Sequence, residues 1–368
     1  MQILTDALIA ILALYVALTG AMADGIAAVL PEQLSHAPTR ERVTDPPTID
    51  DTQSLAVLNS EYRDSETIPD ILRQNAYSQQ ASVIGSLGNT RAPAEDVNDA
   101  LVNIYCTYTT DTEIRTTTGS GFFIDSDGVI MTNAHVAQFL LLEQVSETGS
   151  TECTIRSGDP AEAKYVAELL YISPAWIQKH AHLIDAARPR GTGERDYALL
   201  YVTAGVDKAP MPAHFPYLAV ETDLLRQRAL GDTVTVAGYP AGSLATDGGG
   251  TPLSPQSDSA AITQMYTFGS NYADIFTIDA STVGEYGVSG GPVLNRDGAV
   301  IGLVTTKGGP EDNPGSLRAL TLSYVDRTMI EESTFDLAAT SNGQLAFRAR
   351  LFTETIIPFL ARVLEAEL

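Results

Sequence analysis

The chain has 368 residues, with 46 acidic against 22 basic side chains and a formal net charge of −24. That surplus leaves no basic stripe to neutralise a phosphate backbone, which excludes nucleic acid as a partner. Apolar residues make up 44% of the sequence and charged residues 18%, the balance of a folded globular protein and not of a disordered one. Residues Ala7 to Ala23 form an uncharged, mostly apolar stretch that closes on Ala21-Met22-Ala23, a small-x-small pattern suited to a signal peptidase. The stretch predicts export. It fits a cleaved signal peptide or a retained membrane anchor, because the preceding MQILTD lacks Lys and Arg and carries Asp6. Either way the body is expected outside the cytoplasm, whether secreted, periplasmic or membrane-anchored. Residues 24–95 are polar and broken by turn formers such as Thr44-Asp45-Pro46-Pro47-Thr48, so they read as a leader or linker with a short helix near Pro69 to Val83.

From Asp96 onward the pattern changes to short β-like runs punctuated by Gly, Asp and Ser. Strands are expected at Leu101 to Tyr108, Gly121 to Ile124, Val129 to Thr132, Cys153 to Arg156 and Tyr197 to Val202. A second group follows at Thr233 to Ala237, Ile275 to Ile278, Pro292 to Leu294 and Val300 to Thr305, closed by Leu317 to Val325. Many short strands with few helices imply an all-β barrel or sandwich. Ile124-Asp125-Ser126-Asp127-Gly128 reads as a hairpin turn, and its two carboxylates as turn chemistry before calcium ligands. Cys106 and Cys153 could pair in an oxidising compartment or remain separate buried thiols, and the sequence leaves both open. No CxxC or Cys/His spacing supports a metal site. At the end of the chain, Leu351, Phe352, Thr355, Ile356, Phe359, Leu360, Val363 and Leu364 recur at helical spacing. They predict a terminal helix over about 345–367, bent at Pro358, with its apolar stripe against the preceding barrel.

Acyl transfer to a serine needs a hydroxyl with a base beside it, a third group that orients the base, and donors aimed at the developing oxyanion. Tyr286-Gly287-Val288-Ser289-Gly290-Gly291-Pro292 places Ser289 among glycines, so that the amides of Gly287 and Ser289 can converge with no Cβ in the way. The run Val129-Ile130-Met131-Thr132-Asn133-Ala134-His135 describes a strand that delivers His135 into a following turn. Arg195-Asp196-Tyr197-Ala198-Leu199 sets Asp196 directly ahead of an apolar strand, a position from which a carboxylate can be buried against an imidazole. Asp185 is the competing acid, but no such strand follows it. His36, His180, His182 and His214 read as ordinary histidines; His180 and His182 could share one strand face but lack a third ligand for zinc.

Taken together, TGSGFFID…GVIMTNAHV, RDYALLYV, LGDTVTVAGYP and GVSGGPVLNRDGAVIGLVTT resemble the trypsin-like serine proteases, in particular the bacterial HtrA/Deg type. The likeness runs from about residue 100 to 310, in the order His, Asp, Ser that sets this family apart from subtilisin-like and α/β-hydrolase triads. It implies two perpendicular six-stranded antiparallel barrels, over about 96–210 and 225–330, with the triad His135, Asp196 and Ser289 between them. It implies peptide-bond cleavage in protein or peptide substrates with no cofactor, and substrate pairing along Thr305 and Thr306. Val288 departs from the digestive trypsins, which carry an aspartate there that ion-pairs with a new N-terminus. The tail beyond 310 is too short for the PDZ domain, roughly a hundred residues long, that HtrA-type proteases append. If Val283 or Ala280 lines the specificity pocket, small apolar side chains are expected before the cut bond. Two other readings stay open: a catalytically silent barrel used for binding, and an esterase on the same site.

Overall fold

The computed structural model describes residues 93–109, 114–145, 150–184, 191–241, 252–279, 281, 283, 287–307, 315–333, 337 and 351–367. All of them belong to one compact unit, Thr52–Leu368. The apolar stretch at 7–23, the leader up to residue 92 and the helix expected near Pro69 to Val83 lie outside the described residues.

Among the described residues, twelve strands form two closed antiparallel barrels. The first contains β1 (Leu101–Thr109), β2 (Ile114–Phe123), β3 (Val129–Thr132), β4 (Ser150–Ser157), β5 (Glu162–Ile172) and β6 (Ala198–Gly205), in the order β1-β2-β3-β6-β5-β4. The second contains β7 (Thr233–Gly238), β8 (Gln256–Tyr266), β9 (Ile275–Ile278), β10 (Pro292–Leu294), β11 (Val300–Lys307) and β12 (Leu317–Thr321), in the order β10-β11-β12-β9-β8-β7. Closure removes the free edges that an open sheet would expose. The β2–β3 turn has the expected chemistry: Gly128 takes φ 95°, and the Asp127 amide donates to Asp125 Oδ1 at 2.7 Å.

Helices carry more of the structure than the strand pattern suggests. His135 enters the first turn of a twelve-residue helix, α1 (Ala134–Val145), rather than a turn. The run Ala137-Gln138-Phe139-Leu140-Leu141-Leu142 is made of helix formers, and it is buried on nearly every side. His180 and His182 share no strand face: His180 ends α2 (Pro174–His180) and His182 sits in the single 3₁₀ turn that follows. Ser173 caps α2, its hydroxyl accepting from the Trp176 amide, and Pro174 occupies the first turn, where its missing N–H costs nothing. The strand expected to reach Val325 stops at Thr321, whose hydroxyl accepts from the Tyr324 amide at 3.1 Å and starts α3 (Leu322–Glu332). A capping threonine overrides the β propensity of Tyr324 and Val325.

The terminal helix α4 (Ile357–Glu365) has Pro358 in its first turn, and residues 351–355 just ahead of it are also helical, so the tail is helical on both sides of a break at Ile356, next to the proline. Its stripe does not cover the preceding barrel. Ile357, Leu360, Ala361 and Leu364 are fully buried in the same cluster as Ala137, Leu140 and Leu141 of α1 and Trp176 and Ile177 of α2. Both of those helices lie outside the first barrel with apolar faces that need cover, and α4 supplies it.

Cys106 on β1 and Cys153 on β4 face each other in register and form a disulfide, which closes a sequence separation of 47 residues. Replacing both cysteines by serine should lower unfolding free energy by about 2–4 kcal/mol, mainly by releasing the unfolded chain. A urea midpoint unchanged from that of the oxidised protein would show that the cross-link contributes nothing.

Candidate active site

Three segments meet at the site. Asn133 leads into α1, and its side-chain amide donates to the Asp196 carbonyl at 2.8 Å, which ties the start of the histidine's helix to the aspartate's loop. Asp196 then accepts the His135 amide at Oδ1 (2.9 Å) and faces His135 Nδ1 at Oδ2 (2.7 Å). A carboxylate there keeps the Nδ1 proton in place and leaves Nε2 as the basic nitrogen. Thr305 on β11 of the second barrel donates its hydroxyl to the same Oδ2 at 2.6 Å. The family resemblance implies a substrate-pairing strand at Thr305; its bond to Asp196 spans 109 residues and carries no local signal.

Burial raises the Asp196 carboxyl, but the His135 charge and the bonds from His135 and Thr305 outweigh it and hold the group below the ordinary 3.8. For His135, burial alone would push the imidazole down. The Asp196 charge and hydrogen bond prevail, and its pKa stands above 6.5.

The aspartate's loop is braced from the C-terminal side. Arg195 takes a left-handed backbone, φ 57°, that a long side chain rarely adopts. Its amide donates to the Tyr324 hydroxyl at 3.2 Å, and its guanidinium pairs with the buried carboxylate of Glu332 at the end of α3. Tyr171 donates to the other Glu332 oxygen at 2.5 Å. A buried carboxylate is tolerable only when so satisfied.

Ser289 sits half-buried in the turn before β10, and its hydroxyl donates to the Thr305 carbonyl at 3.5 Å, not to the imidazole. The turn is bolted down on both sides: the Gly290 amide donates to Val304 O at 2.8 Å, and the Ser289 carbonyl accepts the Ser120 amide at 2.8 Å. Gly287 has φ 98°, and a Cβ there would come 2.5 Å from the Tyr239 carbonyl, so only glycine fits. Gly287, Ser289, His135 and Asp196 are thus all brought to this region, while His214 is exposed elsewhere and Asp185, Ala280 and His36 lie outside the described residues. Sequence reasoning missed Asn133, Thr305 as a carboxylate partner, Ser120 and the Arg195–Glu332 pair.

A family model described as the trypsin-like peptidase domain matches residues 119–303. Among solved structures, the chain is similar to a crystal structure of Rv3671c from M. tuberculosis H37Rv, an inactive form carrying a serine-to-alanine substitution. That match has 21% identity and a TM-score of 0.38, and covers 64% of this chain and 87% of the other. No curated protein matches the chain.

The coupled pair sets a titration. In an NMR titration the His135 ring should show a midpoint above 6.5, and Asp196→Asn, which leaves burial unopposed, should move it below 6.5. The sign for stability follows: the raised His135 contributes fully below pH 6.5 and loses its contribution as pH rises through the folded midpoint. The depressed Asp196 contributes above pH 3.8 and is lost as pH falls through its lowered value. A midpoint that ignores the Asn substitution would uncouple the two groups.

Proposed function

Because the chain belongs to the trypsin-like peptidase family, we propose that it is a serine endopeptidase that cleaves peptide bonds in protein substrates through Ser289, His135 and Asp196, with no cofactor. The observation that carries this reading is the buried Asp196 carboxylate bonded to His135 Nδ1 at 2.7 Å, on a loop that shares its second-barrel partner, Thr305, with Ser289. In the reaction, a rotation about the Ser289 Cα–Cβ bond moves the hydroxyl from the Thr305 carbonyl to His135 Nε2. The imidazole takes the proton as Oγ attacks the peptide carbonyl, and Asp196 stabilises the imidazolium. The amides of Gly287 and Ser289 receive the oxyanion. His135 then gives the proton to the leaving amine, and water releases the acyl group by the same steps in reverse.

We read its motifs as most similar to those of the HtrA/Deg-type branch. An extracytoplasmic location is supported by the Cys106–Cys153 disulfide, since such bonds persist in oxidising compartments. The stretch at 7–23 is read as the signal or anchor that takes the chain there. Val283, six residues before the nucleophile, is fully buried among Ile278, Val288 and Leu317, and brings no charge to the specificity pocket. Small apolar side chains are accordingly proposed before the scissile bond. The rival reading, a silent binding barrel, draws on the Ser289 hydroxyl facing the Thr305 carbonyl.

Labelling with a fluorophosphonate, followed by casein and ester assays, separates these readings. Ser289→Ala should abolish labelling and cost on the order of 10⁶ in turnover, and Asp196→Asn about 10⁴. Casein hydrolysis that survives Ser289→Ala would sink the assignment; ester turnover without peptide cleavage would make the protein an esterase; no labelling at all would favour the silent barrel. In a peptide library, cuts should fall after Ala or Val, and cuts mainly after Arg or Lys would overturn the pocket assignment.

A further inference from the structure

Ser120 lies near the end of β2, in the first barrel, and is fully buried. Its hydroxyl donates to the Gly287 carbonyl at 2.7 Å and accepts the Tyr239 amide at 2.8 Å. Its own amide donates to the Ser289 carbonyl at 2.8 Å, and its carbonyl accepts the Thr132 hydroxyl at 2.7 Å. One first-barrel residue thus holds the carbonyls of both residues whose amides are assigned to the oxyanion. Between them, the Val288 carbonyl accepts the Gly291 amide at 2.9 Å. A trans peptide sets its N–H opposite its C=O, so turning the Val288 carbonyl toward Gly291 turns the Ser289 amide the other way.

Gly287 is the weak point of this loop. With φ 98° and no Cβ it has wider rotational freedom than Val288 or Ser289, and it needs a tether from outside. Val288 offers no charge for one, because its apolar side chain is spent in the core of the second barrel. The Ser120 hydroxyl is the only side-chain partner of the Gly287 carbonyl among the described residues. We propose that Ser120 is a positioning residue for peptide hydrolysis: its hydroxyl fixes the rotation of Gly287 and so aims the first oxyanion donor. This inference rests on the reading of Ser289 as nucleophile.

Kinetics of the full chain test it. Ser120→Ala keeps the Cβ, adds no bulk and removes only the hydroxyl. It is expected to lower kcat per fluorophosphonate-titrated site by about 10- to 100-fold with KM within about twofold. A peptide aldehyde, which mimics the tetrahedral species, should lose affinity by the same factor as kcat/KM. The His135 midpoint should not move, since Ser120 bonds neither the imidazole nor Asp196. Ser120→Cys, nearly the same shape with a weaker donor, should fall between wild type and alanine; it carries the test if the alanine variant does not fold. An alanine or cysteine variant with kcat per titrated site within twofold of wild type overturns the proposal. So does a loss confined to KM or to the number of titratable sites, which would make the role merely structural. A wild-type protein that hydrolyses nothing sinks the endopeptidase reading itself, whereas an active wild type with an unaffected Ser120→Ala sinks only this inference.

Discussion

A single buried carboxylate joins the two barrels. Asp196 takes a backbone amide and a ring nitrogen from the first barrel and a hydroxyl from the second, at 2.9, 2.7 and 2.6 Å. An isolated carboxylate at that depth would cost several kcal/mol and would protonate instead. Three donors convert that penalty into a constraint: the carboxylate stays charged only while both barrels hold their places. The geometry of His135 is therefore a readout of how the barrels sit together, because the imidazole hangs from the same Oδ2 that accepts the Thr305 hydroxyl.

Around that carboxylate the two C-terminal helices do complementary work. Helix α3 reaches the loop of Asp196 through Glu332 and Tyr324, and stabilises a backbone at Arg195 that would otherwise be strained. Helix α4 covers the outer face of α1, the helix that carries His135 in its first turn. Asp196 and His135 are thus each backed by an element from the far end of the chain, and the turn of Ser289 is backed by β2 from the near end.

Much of this was legible in the sequence where chemistry is local. The β-branched runs from Val129 to Thr132 and from Val300 to Thr305, the Asp125 to Gly128 turn, and the glycines around Ser289 declare themselves by composition. Strands β5 and β8 did not, because polar residues (Glu162 and Lys164; Gln256, Ser257 and Asp258) stand at their starts, and only pairing with β6 and β7 makes them strands. Helix α1 was hidden because a strand runs straight into it. The tail's periodicity identified a helix but not its floor, since α1 and α2 were unread as helices. Contacts such as Thr305 with Asp196 and Ser120 with Gly287 join residues 109 and 167 positions apart, and no spacing rule reaches that far.

The placement of α4 also bears on time. This helix begins more than two hundred residues downstream of the helix it covers. As a chain is made from its N-terminus, all six strands of the first barrel are complete before the α4 residues that share a cluster with Leu140, Leu141 and Ile177 exist. The outermost layer over the first barrel therefore arrives only after the second barrel has been synthesised. Order of synthesis thus sets order of cover: the helix that bears His135 gains its outer layer only after both barrels have been made.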